Sequence, residues 1–143
     1  MSVLPPIEEE FVAAGQVRVE VRPIAILGEE SELAAQAAEC ANDQGRFWEF
    51  HDILYANQVP QHNAGAFSAD NLKRFAEELA LDGAAFASCL DSGKYAARVT
   101  GDTETARQQG VDSTPTMFVG NLEVASDLQA LRAAIQEELA SGP

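Results

Sequence analysis

Cysteine is scarce in this chain. Its 143 residues contain only Cys40 and Cys89, far apart and forming no CxxC. This excludes a redox pair built on that local motif, and a zinc site of the paired-cysteine kind. Basic residues are also few, 9 Lys and Arg against 23 Asp and Glu, for a net charge of -14. No basic stripe exists to neutralise phosphates, so nucleic acid and anionic membrane are excluded as expected partners. No apolar run approaches the roughly 18 residues that a membrane-spanning helix needs. The start, MSVLPPIEEEF, lacks the basic and apolar regions of a signal peptide, which taken literally puts the product in the cytoplasm. What is present is globular: 46% hydrophobic residues, six prolines, no internal repeats and a length suited to one domain with an ordinary core.

The apolar residues Leu4, Ile7, Phe11 and Val12 have helical spacing. Pro5 and Pro6 fit only a first turn, and Gly15 stops the pattern. From Gln16 to Arg22 the period changes to two, with Val17, Val19 and Val21 on one face, which predicts a strand closed by Pro23. Ser31 is then expected to cap a helix from Glu32 to about Gln44, its small-residue face made by Ala34, Ala37, Ala38 and Ala41. A short aromatic helix follows Gly45, with Phe47, Phe50, Ile53 and Leu54 on one side. Ser68 caps a helix through Leu72, Phe75 and Leu79, and Asp82 begins one through Phe86, Cys89 and Leu90. Tyr95 to Gln109 is helical as well, ended by Gly110.

The closing part predicts a strand Thr116–Val119 entered through Thr114-Pro115, a Gly120-Asn121 turn, a second strand Leu122–Val124, and a final helix. Proline donates no ladder hydrogen bond, so it belongs at the start of such a strand. From the residues alone the Thr114–Pro115 bond is trans or cis. Asp127 caps the last helix, whose stripe is Leu128, Leu131, Ala134, Ile135 and Leu139. The order is helix, strand, helical block, strand, strand, helix: an α/β arrangement with three strands at minimum.

Three stretches carry a family resemblance. VLPPIEEEFVAAGQVRVEVRP resembles the run from the active-site helix into the next strand in the DsbA-like thioredoxin-fold disulfide oxidoreductases. AAECANDQGRFWEFHDILYANQ resembles the start of their helical insertion, and GVDSTPTMFVGN their cis-proline loop, where a Thr or Val precedes the proline. The resemblance implies a truncated thioredoxin-like sheet with a large helical insertion. Residues 1–30 and 111–143 would form the thioredoxin-like part and 31–110 the insertion, packed as one compact unit. It also implies a cis bond at Pro115 and a loop of Ser113, Thr114, Pro115 and Thr116 that contacts substrate. Cys40 and Cys89 would be a structural disulfide, against two buried free thiols as the plain alternative.

The chain departs from the family where the chemistry lies. In the family a strand and a CxxC precede the VLP segment; here Val3 follows closely on Met1, so neither is expected in the sequence as written. The expected activity is protein disulfide exchange in the family and none in this chain as written, so no catalytic residue is assigned. The alternative is a redox-inactive peptide- or protein-binding module using the same loop. A central strand would be missing, leaving an edge that a rearranged sheet or a homodimer covers. The family implies an extracytoplasmic location, against the cytoplasmic one read from the start. Neither the residues nor the resemblance calls for a metal or cofactor. His51 among aromatics reads as a packed residue, His62 as a loop residue, Glu8 to Glu10 as a solvated face, and Phe47, Trp48 and Phe50 as core.

Overall fold

The structure is a computed structural model and describes residues 3–142. The chain forms two compact units, one from its two ends (through Val21 and from Val111) and the other from Arg22–Gly110.

In the unit made by the chain ends, helix α1 (Leu4–Ile7) has its prolines in the first turn, where a missing N–H leaves nothing unpaired. It runs directly into a wider π turn, Glu8–Val12, closed by Ala13 N–H donating to Glu8 O at 2.9 Å. Strands β1 (Met117–Val119) and β2 (Leu122–Val124) form an antiparallel hairpin in which Met117 faces Val124 and Val119 faces Leu122. Gly120 takes a φ of 58°, and a positive φ at the first turn position accounts for the order Gly-Asn. Helix α7 (Leu128–Ser141) is capped by Asp127, whose carboxylate accepts from Ala130 N–H at 2.9 Å. Ile7, Phe11, Leu131 and Ile135 are its buried core, with Val17, Met117, Val119, Val124 and Leu128 packed against them. Leu139, expected in the buried stripe, is exposed. Arg132 Nε donates to Glu10 Oε2 at 2.6 Å across this unit.

One sequence expectation fails here. The segment from Val17 lies outside any ladder, and among the described residues the sheet has two strands where at least three were expected. An alternating pattern specifies which face of a segment is apolar, but a strand also needs a neighbour, and β1 takes β2 as its own.

The unit Arg22–Gly110 is helical: α2 (Glu29–Asn42), α3 (Phe47–Ala56), α4 (Ala69–Glu78), α5 (Gly83–Asp91) and α6 (Ala96–Gln108). Helix α2 packs against the other four. Its alanines 37, 38 and 41 bring Phe50, Leu72, Phe75, Phe86 and Leu90 close, and the Phe50 and Phe86 rings lie 5.3 Å apart. A smaller core holds Ala25, Ala35 and Val99, fixed by Ala25 N–H donating to the Thr103 hydroxyl at 3.0 Å.

Helix α2 begins earlier than Ser31 predicts. Its N-cap is Gly28, and the cap is supplied from a distant loop: Asn63 Oδ1 accepts from Glu30 N–H at 3.0 Å. Gly28 has a φ of 96°, and a Cβ there would lie 2.2 Å from Asn63 Nδ2, so the position requires glycine twice over. Glu30 returns the tie by accepting from Gly65 N–H and Phe67 N–H. Ser68 and Asp82 do cap α4 and α5, accepting from Asn71 N–H at 3.4 Å and Ala85 N–H at 3.0 Å.

Candidate functional site

Gly110 ends α6 with a φ of 81°, and the chain then enters the loop that leads into β1. The Thr114–Pro115 bond is cis. Ser113, Thr114 and Pro115 are exposed, while Thr116 is half-buried. The Thr116 hydroxyl donates to Ser113 O at 2.8 Å, spanning the cis bond and tying the loop to itself. No hydrogen bond within the described residues occupies the Thr114 main chain. The result is a short, fixed, outward-facing stretch of backbone at the mouth of a strand, with a free donor and acceptor. All four loop residues proposed from the sequence lie together here.

Both cysteines are in one disulfide, Cys40–Cys89, joining α2 to α5 with Cα atoms 5.9 Å apart. The chain therefore holds no free thiol. The two sulfurs have unlike surroundings. Cys40 is 1% exposed in the main core, whereas Cys89 is partly exposed. Beside Cys89 stands a cluster that the sequence reading missed. Asp43 Oδ2 lies 3.9 Å from Cys89 Sγ and accepts from Lys94 Nζ at 2.6 Å, while Asp43 Oδ1 accepts from the Tyr95 hydroxyl at 2.5 Å.

Hydrogen bonds from Lys94 and then Tyr95 hold the Asp43 pKa below its ordinary 3.8. The bond to Asp43 raises Lys94 and likewise raises Tyr95, since the phenol can donate only while protonated. The three residues come from the end of α2 and the link between α5 and α6, so no local motif marked them. A lysine–tyrosine pair five residues after a cysteine was the one available hint.

His51 is buried as expected, its Nδ1 3.1 Å from Asp52 Oδ1 and its ring between Trp48 and Tyr55. Trp48, expected in the core, is 38% exposed on the outer side of α3, while Phe50 is fully buried. Glu39, not singled out from sequence, is buried on α2 with Oε2 3.2 Å from Arg98 of α6. Among the described residues no group of three His, Cys, Asp or Glu is placed to hold a metal ion. No described helix is long and apolar enough to cross a membrane.

The chain is similar to known proteins over almost its whole length. A family model described as thioredoxin matches residues 1–137. The Na(+)/H(+) antiporter NhaA 3 of Salinispora tropica is 35% identical over 141 residues, covering 96% of this chain and 21% of that protein. The probable disulfide bond formation protein D of Bacillus anthracis is 28% identical over 142 residues, covering 97% of this chain and 65% of that protein. The chain thus spans about a fifth of the one and about two thirds of the other. The solved structure of oxidised BdbD from Bacillus subtilis superposes with a TM-score of 0.86 at 24% identity, over 96% of this chain and 77% of that one. With a helical unit set between an N-terminal helix and a cis-proline hairpin, the chain belongs to the thioredoxin family, in its DsbA-like group.

Proposed function

We propose that this chain is the substrate-docking part of a DsbA-like protein thiol–disulfide exchange system, with Ser113, Thr114, Pro115 and Thr116 as the surface that meets the substrate polypeptide. The observation that carries the reading is the exposed cis-proline loop, braced by Thr116 on Ser113 O, with the Thr114 main chain unoccupied. A fixed stretch of backbone at a strand's start can pair with an extended chain whatever its side chains, and its rigidity lowers the ordering cost of binding. By itself the chain does not catalyse protein disulfide exchange through a CxxC dithiol. The reaction needs an accessible low-pKa thiolate, and the two cysteines are bonded to each other with no CxxC in the sequence.

The bonded cysteines also favour a second reading, a redox-inactive module that binds peptides or proteins through the same loop. Insulin reduction by glutathione with and without the chain tests the first reading; turnover by this chain would overturn the claim of inactivity. Titration with an unfolded, cysteine-blocked polypeptide tests the docking loop. Binding is expected to weaken about tenfold or more in Pro115→Ala, and unchanged binding in a folded variant would sink it. A homodimer that covers the segment from Val17 is a separate proposal, supported by the position of that segment outside the ladder. A strict monomer in light scattering ends it.

A further inference from the structure

The Cys40–Cys89 bond is asymmetric in a way that the docking proposal does not use. One sulfur belongs to the apolar core with Ala37, Ala41, Phe50 and Phe86, while the other is partly exposed next to a charged cluster. We propose that Cys89 is a thiol-exchange site: an external thiolate opens the bond by attacking the Cys89 sulfur, with Lys94 and Asp43 setting the charge it meets, and Cys40 acts only as the leaving sulfur.

The step balances as a simple exchange. The incoming RS⁻ forms a bond to Cys89 Sγ, the Cys40–Cys89 bond breaks, and Cys40 departs with the electron pair and takes up a proton. The product is a mixed disulfide at Cys89. A second thiolate from the reductant then attacks the external sulfur, releasing the oxidised reductant and the Cys89 thiol, which completes a two-electron reduction. The first step places the leaving thiolate in apolar surroundings, which disfavours it and makes Cys40 quick to reclose the bond. Monothiols therefore exchange futilely, while dithiols, whose second sulfur is already attached, capture the intermediate.

The cluster gives the proposal a signed electrostatic test. The carboxylate oxygen nearest Cys89 Sγ is the one that Lys94 holds, so an approaching anion meets a repelling and an attracting charge together. The side chains are partly solvated, with 52% of Lys94 and 35% of Asp43 exposed, so each charge acts through water and salt. At the 3.9 Å of Asp43 Oδ2 from Cys89 Sγ, one charge is worth roughly fivefold in rate at low salt. Asp43→Asn should therefore speed attack by an anionic thiolate roughly fivefold, and Lys94→Gln should slow it by a similar factor. Both differences should close in about 1 M salt.

Two experiments on the full chain decide it. In the first, Cys40→Ala and Cys89→Ala each leave one thiol, which is titrated with 5,5′-dithiobis(2-nitrobenzoate) in native buffer and again in urea. Cys89 is expected to react readily in both, and Cys40 roughly a hundredfold more slowly in native buffer alone, because it waits for local opening. Comparable native rates in folded variants would overturn the proposal.

The second needs no core substitution: the oxidised chain is reduced by dithiothreitol and by a monothiol. The proposal expects a rate proportional to dithiothreitol, little net reduction by the monothiol, and opposite responses to Asp43→Asn and Lys94→Gln. A rate independent of thiol concentration would mean that the bond opens only on unfolding. That result, or the same response in both variants, would refute it. Failure of peptide docking at Pro115 would leave this result untouched, so the two proposals fail separately.

Discussion

Reducing the Cys40–Cys89 bond should remove a large part of the stability of the helical unit, and the size of the loss follows from the loop it closes. The bridge spans a sequence separation of 49, all of it within Arg22–Gly110. The chain-entropy relation for a loop of that length gives about 4 kcal/mol of stabilisation, exerted mainly on the unfolded chain. A domain holds only about 5–15 kcal/mol in total, so the cross-link is a substantial fraction. With a urea slope of roughly 1–3 kcal/mol/M, reduction should lower the unfolding midpoint by roughly 1.3–4 M. Trp48, the one tryptophan, sits on α3 inside the closed loop and reports the transition by fluorescence. The comparison is oxidised chain against chain held reduced by a phosphine, which leaves every side chain otherwise in place. A midpoint that moves by less than about 0.3 M at equal slope would refute the reasoning. It would mean that the reduced, unfolded chain is already as restricted as the bridged one.

Arg98→Ala should cost about 2 kcal/mol, reduced from the value for a fully buried pair because Arg98 is 56% exposed, while the Glu39 side chain is 4% exposed. Adding Glu39→Gln should recover part of the loss in urea denaturation, since no buried charge then lacks its partner. Asn63→Ala should cost about 1 kcal/mol by leaving the Glu30 N–H at the start of α2 without its acceptor, read as a lower thermal midpoint. Tyr95→Phe should raise the Asp43 pKa toward 3.8, followed by carboxyl NMR titration. Because the folded Asp43 pKa is lowered, its stabilising contribution is complete above the unfolded value and disappears as pH falls through the folded one. Lys94 and Tyr95 are raised, so their contributions are present below their ordinary values of 10.5 and 10.0 and disappear as pH rises through the raised ones.

What was legible in the sequence was local. Ser68, Asp82 and Asp127 cap helices because each reaches an N–H three residues ahead, a contact that sequence spacing alone specifies. The Gly120-Asn121 turn and the aromatic helix around Phe50 are equally local. The misreadings at Ser31, Val17 and Asp43 concern partners far along the chain. Ser31 lost the capping role to Asn63, over thirty residues on, which no window at Gly28 can see. Val17 to Val21 carry a strand's alternation, but whether a ladder forms depends on what β1 pairs with. Asp43 drew no notice because its meaning comes from Lys94 and Tyr95, more than fifty residues away. The loop Ser113–Thr116 was found by family resemblance, since composition and periodicity mark it only as a proline at a strand start.

The same division bears on how the loop could work. Its exposed residues project from a hairpin whose inner face, Met117, Val119 and Val124, lies on Ile7, Phe11, Leu131 and Ile135. Packed apolar contacts of this kind resist small displacements, so the backbone at Thr114 is carried by a rigid support while its own polar groups stay unoccupied. The Thr116 hydroxyl adds the last constraint, because it fixes Ser113 O from within the loop. A docking surface made of main chain selects for an extended partner and tolerates variety in side chains. The proposed docking needs no titrating group, because residues 113–116 are Ser, Thr, Pro and Thr. In the proposed reading the chemistry of exchange and the surface for docking are therefore separable, since the loop offers its main chain in a sequence that has no CxxC.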